Sequence, residues 1–284
     1  MRAASSTDAS VQSARNPPLT RGHARGSGRS PRAFALRAGF RGIDTANQRK
    51  HYREAAVGTA ISAAIRAGVV TRRELFLQTK FTFRDGQDHR LPYDPNSPVS
   101  TQVEQSLTSS LEHLGIEAID SYVLHGPSRR AGLSPSDWEA WRAMEAICDS
   151  GRTRLLGVSN VSLDQLAALC KSARIKPHFV QNRCYAARGW DREIRRCCEA
   201  NGAVYQGFSL LTGNRAALGH PTLLRISERY GRTPAQIIFR FALDAGMIPL
   251  TGTTDSSHMR ADLDVLAFNL DPVEVTRIET LLTG

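Results

Sequence analysis

The sequence predicts an α/β protein built on a parallel sheet, and three observations carry that expectation. Short apolar runs recur between residues 42 and 253, and segments with helical periodicity lie between them. Several of the runs are too uniformly apolar for a strand with one wet face, as strands covered on both sides are. Strand–helix alternation continued from residue 42 to residue 282 admits two architectures: an open, doubly wound sheet and a closed (β/α)8 barrel.

Taken in order, the apolar runs place strands at 42–46, 75–80, 119–125, 154–159, 179–182, 204–209 and 247–253. Helical spacing places helices at 52–67, 99–114, 138–149, 162–173, 191–200, 221–230, 234–245 and 272–282. The boundaries have local causes. Ser134-Pro-Ser-Asp137 is a helix start, Ser162-Leu-Asp-Gln165 resembles a capping box, and Asn201-Gly202 is a helix stop. Pro221, Pro234 and Pro272 each stand at a first helical position, where the missing N–H costs nothing. The count is seven strands, one short of a barrel. Upstream of Gly42 only residues 34–39 read as a helix remnant, so a first strand that is missing or atypical is expected.

Composition narrows the class. The chain has 284 residues, 41% hydrophobic and 23% charged, enough for one large globular domain. No apolar run has the length of a membrane span. The net charge of +10 is unevenly spread, because residues 1–33 alone carry six arginines and one aspartate. That stretch is rich in Arg, Ser, Ala, Gly and Pro and reads as a disordered basic tail, with the ordered domain at 34–284. No aromatic residue interleaves with its arginines, so nucleic acid is not the expected partner. The tail shares its composition with organellar transit peptides but lacks their amphipathic pattern, and a cytoplasmic location is expected. Five cysteines, an odd number without metal-ligand spacing, are expected as free thiols in a reducing compartment. Gly26-Ser-Gly28 follows no strand and is no dinucleotide fingerprint. There is no Walker loop and no His-Glu-x-x-His.

Chemistry in barrels sits where strands end. The strand ends here carry Asp44, Lys80, His125, Ser159-Asn160, Gln181-Asn182 and Ser209, and Tyr52 follows at the start of the next helix. Lys80 stands out, since 33 of the 37 basic residues are arginines. A lysine ending an apolar strand offers a proton affinity that burial can tune, which arginine does not. Taken singly, each residue has an ordinary job: Asp44 a turn cap, Tyr52 a core ring, His125 a strand end, Lys80 an outward-facing cation. Together they make a proton-donating set. Tyrosine is the acid, the ammonium is expected to lower its pKa, the carboxylate keeps the lysine charged, and the imidazole orients a carbonyl oxygen.

These residues resemble the aldo-keto reductase family. The matching segments are Gly39-Phe-Arg-Gly-Ile-Asp-Thr-Ala46, Glu54-Ala-Ala-Val-Gly58, Gln78-Thr-Lys80, Asp120-Ser-Tyr-Val-Leu-His-Gly-Pro127, Gly157-Val-Ser-Asn160 and the Gln181 strand. The resemblance spans residues 34–282 and implies a (β/α)8 barrel that reduces small carbonyl compounds with NADPH. It maps the catalytic tetrad to Asp44, Tyr52, Lys80 and His125, and the residues holding the carboxamide to Ser159, Asn160 and Gln181. Tyr52 follows Asp44 at a longer interval than is usual in the family, directly after His51. The remaining cofactor contacts map to Phe208, Ser209, Leu211, Thr251, Gly252, His258 and Asp262. Phe208 replaces a stacking tyrosine. Pro249-Leu-Thr251 replaces the usual Pro-Lys-Ser, and Asp262 stands where an amide would face the adenosine phosphate. An aspartate there would repel a 2′-phosphate, which makes NADH an alternative to NADPH.

Few residues follow the last helix, so an open mouth is expected, with Trp190 and residues 83–93 as candidate walls. Trp190 reads equally as a helix-start anchor. The expected assembly is a monomer or weak oligomer, without membrane. The rival readings are a cofactor-binding regulatory subunit with little turnover and an N-terminally truncated, inactive reductase.

Overall fold

The computed structural model describes residues 20–21 and 31–283, with side chains from residue 35 onward; most of the basic tail lies outside the described residues. Among the described residues, eight parallel strands close into a barrel in sequence order. They are β1 (Thr20–Arg21), β2 (Gly42–Asp44), β3 (Phe76–Phe81), β4 (Ile119–Leu124), β5 (Thr153–Ser159), β6 (Phe179–Arg183), β7 (Val204–Phe208) and β8 (Met247–Thr251). The helices around them are α1 (Pro31–Ala38), α2 (Glu54–Arg66), α3 (Val99–Leu114), α4 (Pro135–Asp149), α5 (Leu163–Ser172), α6 (Arg192–Ala200), α7 (Arg215–Leu218), α8 (Pro221–Tyr230), α9 (Pro234–Asp244), α10 (Ser256–Leu263) and α11 (Pro272–Glu279).

Seven strands fall where the apolar runs place them. The remaining one, β1, is atypical: two residues long, inside the stretch read as tail. It closes the barrel by pairing Arg21 with Ile43 of β2, and Thr20 and Arg21 with Leu250 and Thr251 of β8. Two residues carry no periodicity to read. Their strand geometry comes from the unpaired edges of β2 and β8, which leave backbone groups that must find partners.

Smaller shifts matter for the site. β4 ends at Leu124, and His125 is the first residue beyond it, its N–H donating to the Phe81 carbonyl at 2.8 Å. α2 begins at Glu54, so Tyr52 lies in the preceding turn rather than on the helix, with its N–H on the Gln48 carbonyl at 2.9 Å. α7 and α10 lie outside the segments that helical spacing marks; α10 is capped by the Asp255 side chain, which accepts from the N–H groups of Ser257 and His258. The reciprocal cap expected at Ser162 is formed, and the helix start read at Ser134 carries one as well.

Two motif glycines are required by close backbone approach. A Cβ on Gly58 would lie 2.1 Å from the His113 carbonyl oxygen, so α2 can pack on α3 only without one. A Cβ on Gly157 would press on the Phe179 carbonyl at 3.0 Å, between β5 and β6.

Trp190 is an anchor. It is fully buried, donates Nε1–H to the Ile278 carbonyl at 3.0 Å and packs on Phe241 with ring centroids 5.0 Å apart. It and Asp191 hold left-handed backbone (φ 55° and 53°). Tyr205 donates its hydroxyl to Asp191 at 2.8 Å, locking that turn to β7 and α11 to the barrel. The five cysteines are free thiols. Among the described residues no helix is long and apolar enough to cross a membrane, and no His/Cys/Asp/Glu cluster could hold a metal.

Candidate active site

A cavity of about 590 Å³ opens at the carboxyl ends of the strands. One side is lined by Asp44, His51, Tyr52 and His125, the floor by Ser159, Asn160 and Gln181, and the other side by Phe208, Ser209, Leu211, Thr251 and Gly252. Lys80 lies directly behind Asp44, fully buried. Of the residues expected at strand ends, Asp44, His125, Ser159, Asn160, Gln181 and Ser209 line one mouth with Lys80 behind them, whereas Asn182 turns away, its amide donating to the Val161 carbonyl and to Asp191; His258 and Asp262, expected as cofactor contacts, sit on α10 outside the lining. Neither Trp190 nor any of residues 83–93 lines the cavity, so the walls expected there are not its walls.

Register explains the convergence. Side chains alternate along a strand, so those two apart share a face. Gln78 and Lys80 on β3, Gln181 and Arg183 on β6, and Gln206 and Phe208 on β7 are such pairs. Gln78, Gln181 and Gln206 meet inside the barrel. The Gln78 and Gln181 amides both donate to Gln206 Oε1, at 2.9 and 3.0 Å, and both donate to Asp44 Oδ1, at 2.7 and 3.1 Å. Gln78 enters the sequence reading only as part of the segment Gln78-Thr-Lys80, and Gln206 not at all. The available signal was a glutamine at an inward position of an apolar strand.

Lys80 completes the buried set. Its ammonium donates to Asp44 Oδ1 at 2.6 Å and to the Thr45 carbonyl at 2.8 Å. Burial pulls the lysine pKa down, opposed by the charges of Asp44 and Glu54. Glu54 stands behind the cluster, accepting from the Thr79 hydroxyl and close to His113 Nδ1 at 3.1 Å. Lys80 Nζ is 5.6 Å from the centroid of the Tyr52 ring, and that ring meets His125 edge-on at 5.9 Å between centroids, with planes 73° apart. Of the adjacent pair His51 and Tyr52, both line the cavity, but Tyr52 is the one set against Lys80 and His125.

The Tyr52 hydroxyl pKa differs from the expected direction. Burial pushes it above the ordinary tyrosine value, and the negative charge of Asp44 pushes it further. The ammonium is itself neutralised by Asp44, so the pair presents little net positive charge to the phenol. The hydroxyl therefore keeps its proton firmly.

His125 has a partner not foreseen in the sequence. Its Nδ1 lies 2.7 Å from the Thr82 hydroxyl. Thr82 in turn is fixed by Tyr93, whose hydroxyl donates to the Thr82 carbonyl at 2.8 Å. On the floor, the Ser159 hydroxyl donates to the Gln181 carbonyl at 2.7 Å. The Asn160 amide donates to the His125 carbonyl at 2.8 Å and to Ser159 Oγ at 3.2 Å. Asn160 and Ser209 hold left-handed backbone (φ 52° and 58°), which turns the chain sharply at the cavity wall. Asp262 is turned inward and accepts from the Thr251 hydroxyl at 2.7 Å. Burial raises its pKa, opposed by that hydrogen bond and by His258.

This arrangement, a parallel barrel with an acid–ammonium–phenol–imidazole set at its mouth, is also what comparison with known proteins finds. The sequence profile of the Aldo/keto reductase family matches residues 32–283. The chain belongs to the aldo-keto reductase family of nicotinamide-dependent oxidoreductases. It is similar to the oxidoreductase YtbE of Bacillus subtilis (30% identical, 87% of this chain and 81% of the relative). It is similar also to an aldo-keto reductase of Mycobacterium avium (31%, with 88% and 79% covered). Among solved structures, one of an aldo-keto reductase from Bombyx mori in complex with NADP aligns with a TM-score of 0.75 at 28% identity, covering 93% of this chain and 88% of that one.

Proposed function

We propose that the protein reduces a small aldehyde or ketone to the alcohol, with Tyr52 as the proton donor and NADPH as the preferred dinucleotide, NADH being accepted as well. The observation that carries this reading is the Tyr52 ring set between the Lys80 ammonium at 5.6 Å and the His125 ring at 5.9 Å, at a cavity mouth.

The cavity suits a nicotinamide dinucleotide. Its volume of about 590 Å³ falls within the rough 300–1,000 Å³ of ligand sites. Phe208 presents a half-buried flat ring for stacking, and the floor offers a polar set for a carboxamide. The Gln181 and Asn160 NH2 groups are already engaged, so these side chains would meet a carboxamide N–H through their carbonyl oxygens Oε1 and Oδ1. Thr251 and Gly252 would hold the far side through backbone. Asp262, turned onto Thr251, does not face the cavity, which lessens the repulsion of a 2′-phosphate that its sequence position implies. The dinucleotide, when bound in its reduced form, supplies the hydride.

The residues of the chain do the rest. In this reading the Thr82 hydroxyl is the donor in its 2.7 Å contact with His125 Nδ1, which assigns the ring proton to Nε2 as a donor to a carbonyl oxygen. That hydrogen bond polarises the carbonyl and fixes its oxygen near Tyr52. As negative charge develops there, Tyr52 passes its proton to it. The raised pKa in the free protein keeps the acid loaded until that moment. Lys80 then faces a developing phenolate, and its charge stabilises that species more than the neutral phenol. Asp44, tied to Gln78, Gln181 and Lys80, holds the lysine in place.

The test is NADPH oxidation with a small aromatic aldehyde, comparing the native protein with Tyr52→Phe. Loss of the general acid should cost on the order of 10²–10⁴-fold in kcat/KM. Unchanged turnover in the variant removes Tyr52 from the reaction.

A further inference from the structure

Arg183 lies in the cavity but belongs to none of the roles above. It ends β6, two residues after Gln181, and shares the inward face on which Gln181 reaches Asp44. It pairs in register with Phe208 of β7, and its guanidinium sits 5.6 Å from the centroid of the Phe208 ring. Both side chains therefore stand at the mouth, side by side. Among the described residues lining the cavity, Arg183 is the only lysine or arginine, and the only carboxylate is Asp44, already bonded to Lys80. Among the described residues the single hydrogen bond of the guanidinium is a long one, 3.4 Å from Nη1 to the Tyr185 hydroxyl. The side chain is exposed. Most of its fork of donors remains open to a ligand, and a planar fork beside a flat ring suits an oxyanion held next to a stacked group.

We propose that Arg183 is the oxyanion-binding residue of this cavity. This rests on the reductase reading for the identity of the ligands but not for the anion chemistry. Two ligands present a suitable oxyanion at this spot: the pyrophosphate of the dinucleotide, and a carboxylate carried by the carbonyl substrate. Charge attraction draws either into the mouth, and the guanidinium then bonds its oxygens in pairs.

Arg183→Gln and Arg183→Lys, compared with the native protein, separate these sources. NADPH binding to the protein without substrate is measured by quenching of intrinsic fluorescence. Turnover is measured with 4-carboxybenzaldehyde and with its neutral methyl ester. If Arg183 grips the pyrophosphate, the NADPH Kd of Arg183→Gln rises about tenfold or more and the acid-to-ester ratio of kcat/KM stays constant. If it grips the substrate carboxylate, the ratio falls about tenfold or more while Kd is unchanged. Lysine, which keeps the charge without the fork, should recover part of either effect. A variant in which neither Kd nor ratio moves by more than about twofold overturns the proposal. Native protein that binds NADPH yet reduces no carbonyl overturns the reductase reading instead, and in that case an NADPH Kd that moves by less than about twofold in Arg183→Gln overturns the Arg183 proposal as well. Native protein that binds no dinucleotide overturns both.

Discussion

On the β2–β4 side of the cavity, Asp44 Oδ1 accepts three buried donors and Lys80 donates to two buried oxygens. On the β7–β8 side, Phe208 and Leu211 are half-buried and Gly252 is exposed, with a ring and backbone as their main offerings. The first region puts charges inside the barrel, where each must be met by particular atoms. Few residue combinations satisfy that demand, and segments that resemble the family, residues 39–46 and 78–80, lie there. The second region meets a ligand by stacking and backbone contact, which many side chains permit. There the resemblance is looser, with Phe208 where it implies a tyrosine and Leu250 where it implies a lysine.

The largest expected effect breaks the first region. Lys80→Met leaves the buried Asp44 carboxylate without its cation, and removing one partner of a buried pair costs about 3–5 kcal/mol. Urea unfolding with an unchanged m-value should report it. A loss below about 1 kcal/mol would mean that the glutamine amides alone hold Asp44.

Thr82→Val removes the hydroxyl at His125 Nδ1 while keeping side-chain volume. Loss of the fixed tautomer and orientation should lower kcat on the order of tenfold, with the thermal midpoint nearly unchanged. An unaltered kcat would show that the histidine is oriented by other contacts.

The pH profile tests the direction of the Tyr52 shift. A raised pKa means that the donor stays protonated beyond the ordinary tyrosine value of 10.0. Carbonyl reduction should therefore show no loss from this group up to about pH 10. A fall with a midpoint near pH 8 or 9 that vanishes in Tyr52→Phe would assign a depressed pKa, with Lys80 outweighing burial.

The smallest effect belongs to the second region. Burial holds the Asp262 pKa above its ordinary 3.8, so the folded state binds this proton more readily than the unfolded chain. Stability then falls as pH rises from 3.8 through the raised value, and the ionised group is a net cost above it. Asp262→Asn removes that cost and keeps an acceptor for Thr251. The thermal midpoint should rise by a few degrees at pH 7, about 1 kcal/mol or less, and the gain should shrink as pH falls toward 4. A lower midpoint at neutral pH would show that the carboxylate contributes more through its hydrogen bond than it loses by burial.

The sequence by itself determined the alternation of elements, the reciprocal caps and the polar residues at strand ends, because periodicity, capping and the composition of a buried strand are local. It also placed Lys80, Asp44, His125 and Gln181 on one mouth, since parallel strands all end on the same face of a barrel. What only the tertiary structure decided depends on atoms distant in the chain. β1 is a strand because β2 and β8 leave edges to be paired, and two residues hold no pattern of their own. The glutamine belt under Asp44 exists because Gln78, Gln181 and Gln206 come together across the barrel. Trp190 is an anchor because α11 folds back onto it. The Tyr52 pKa rises because burial and the Asp44 charge act on the same hydroxyl, a placement that no spacing along the chain encodes.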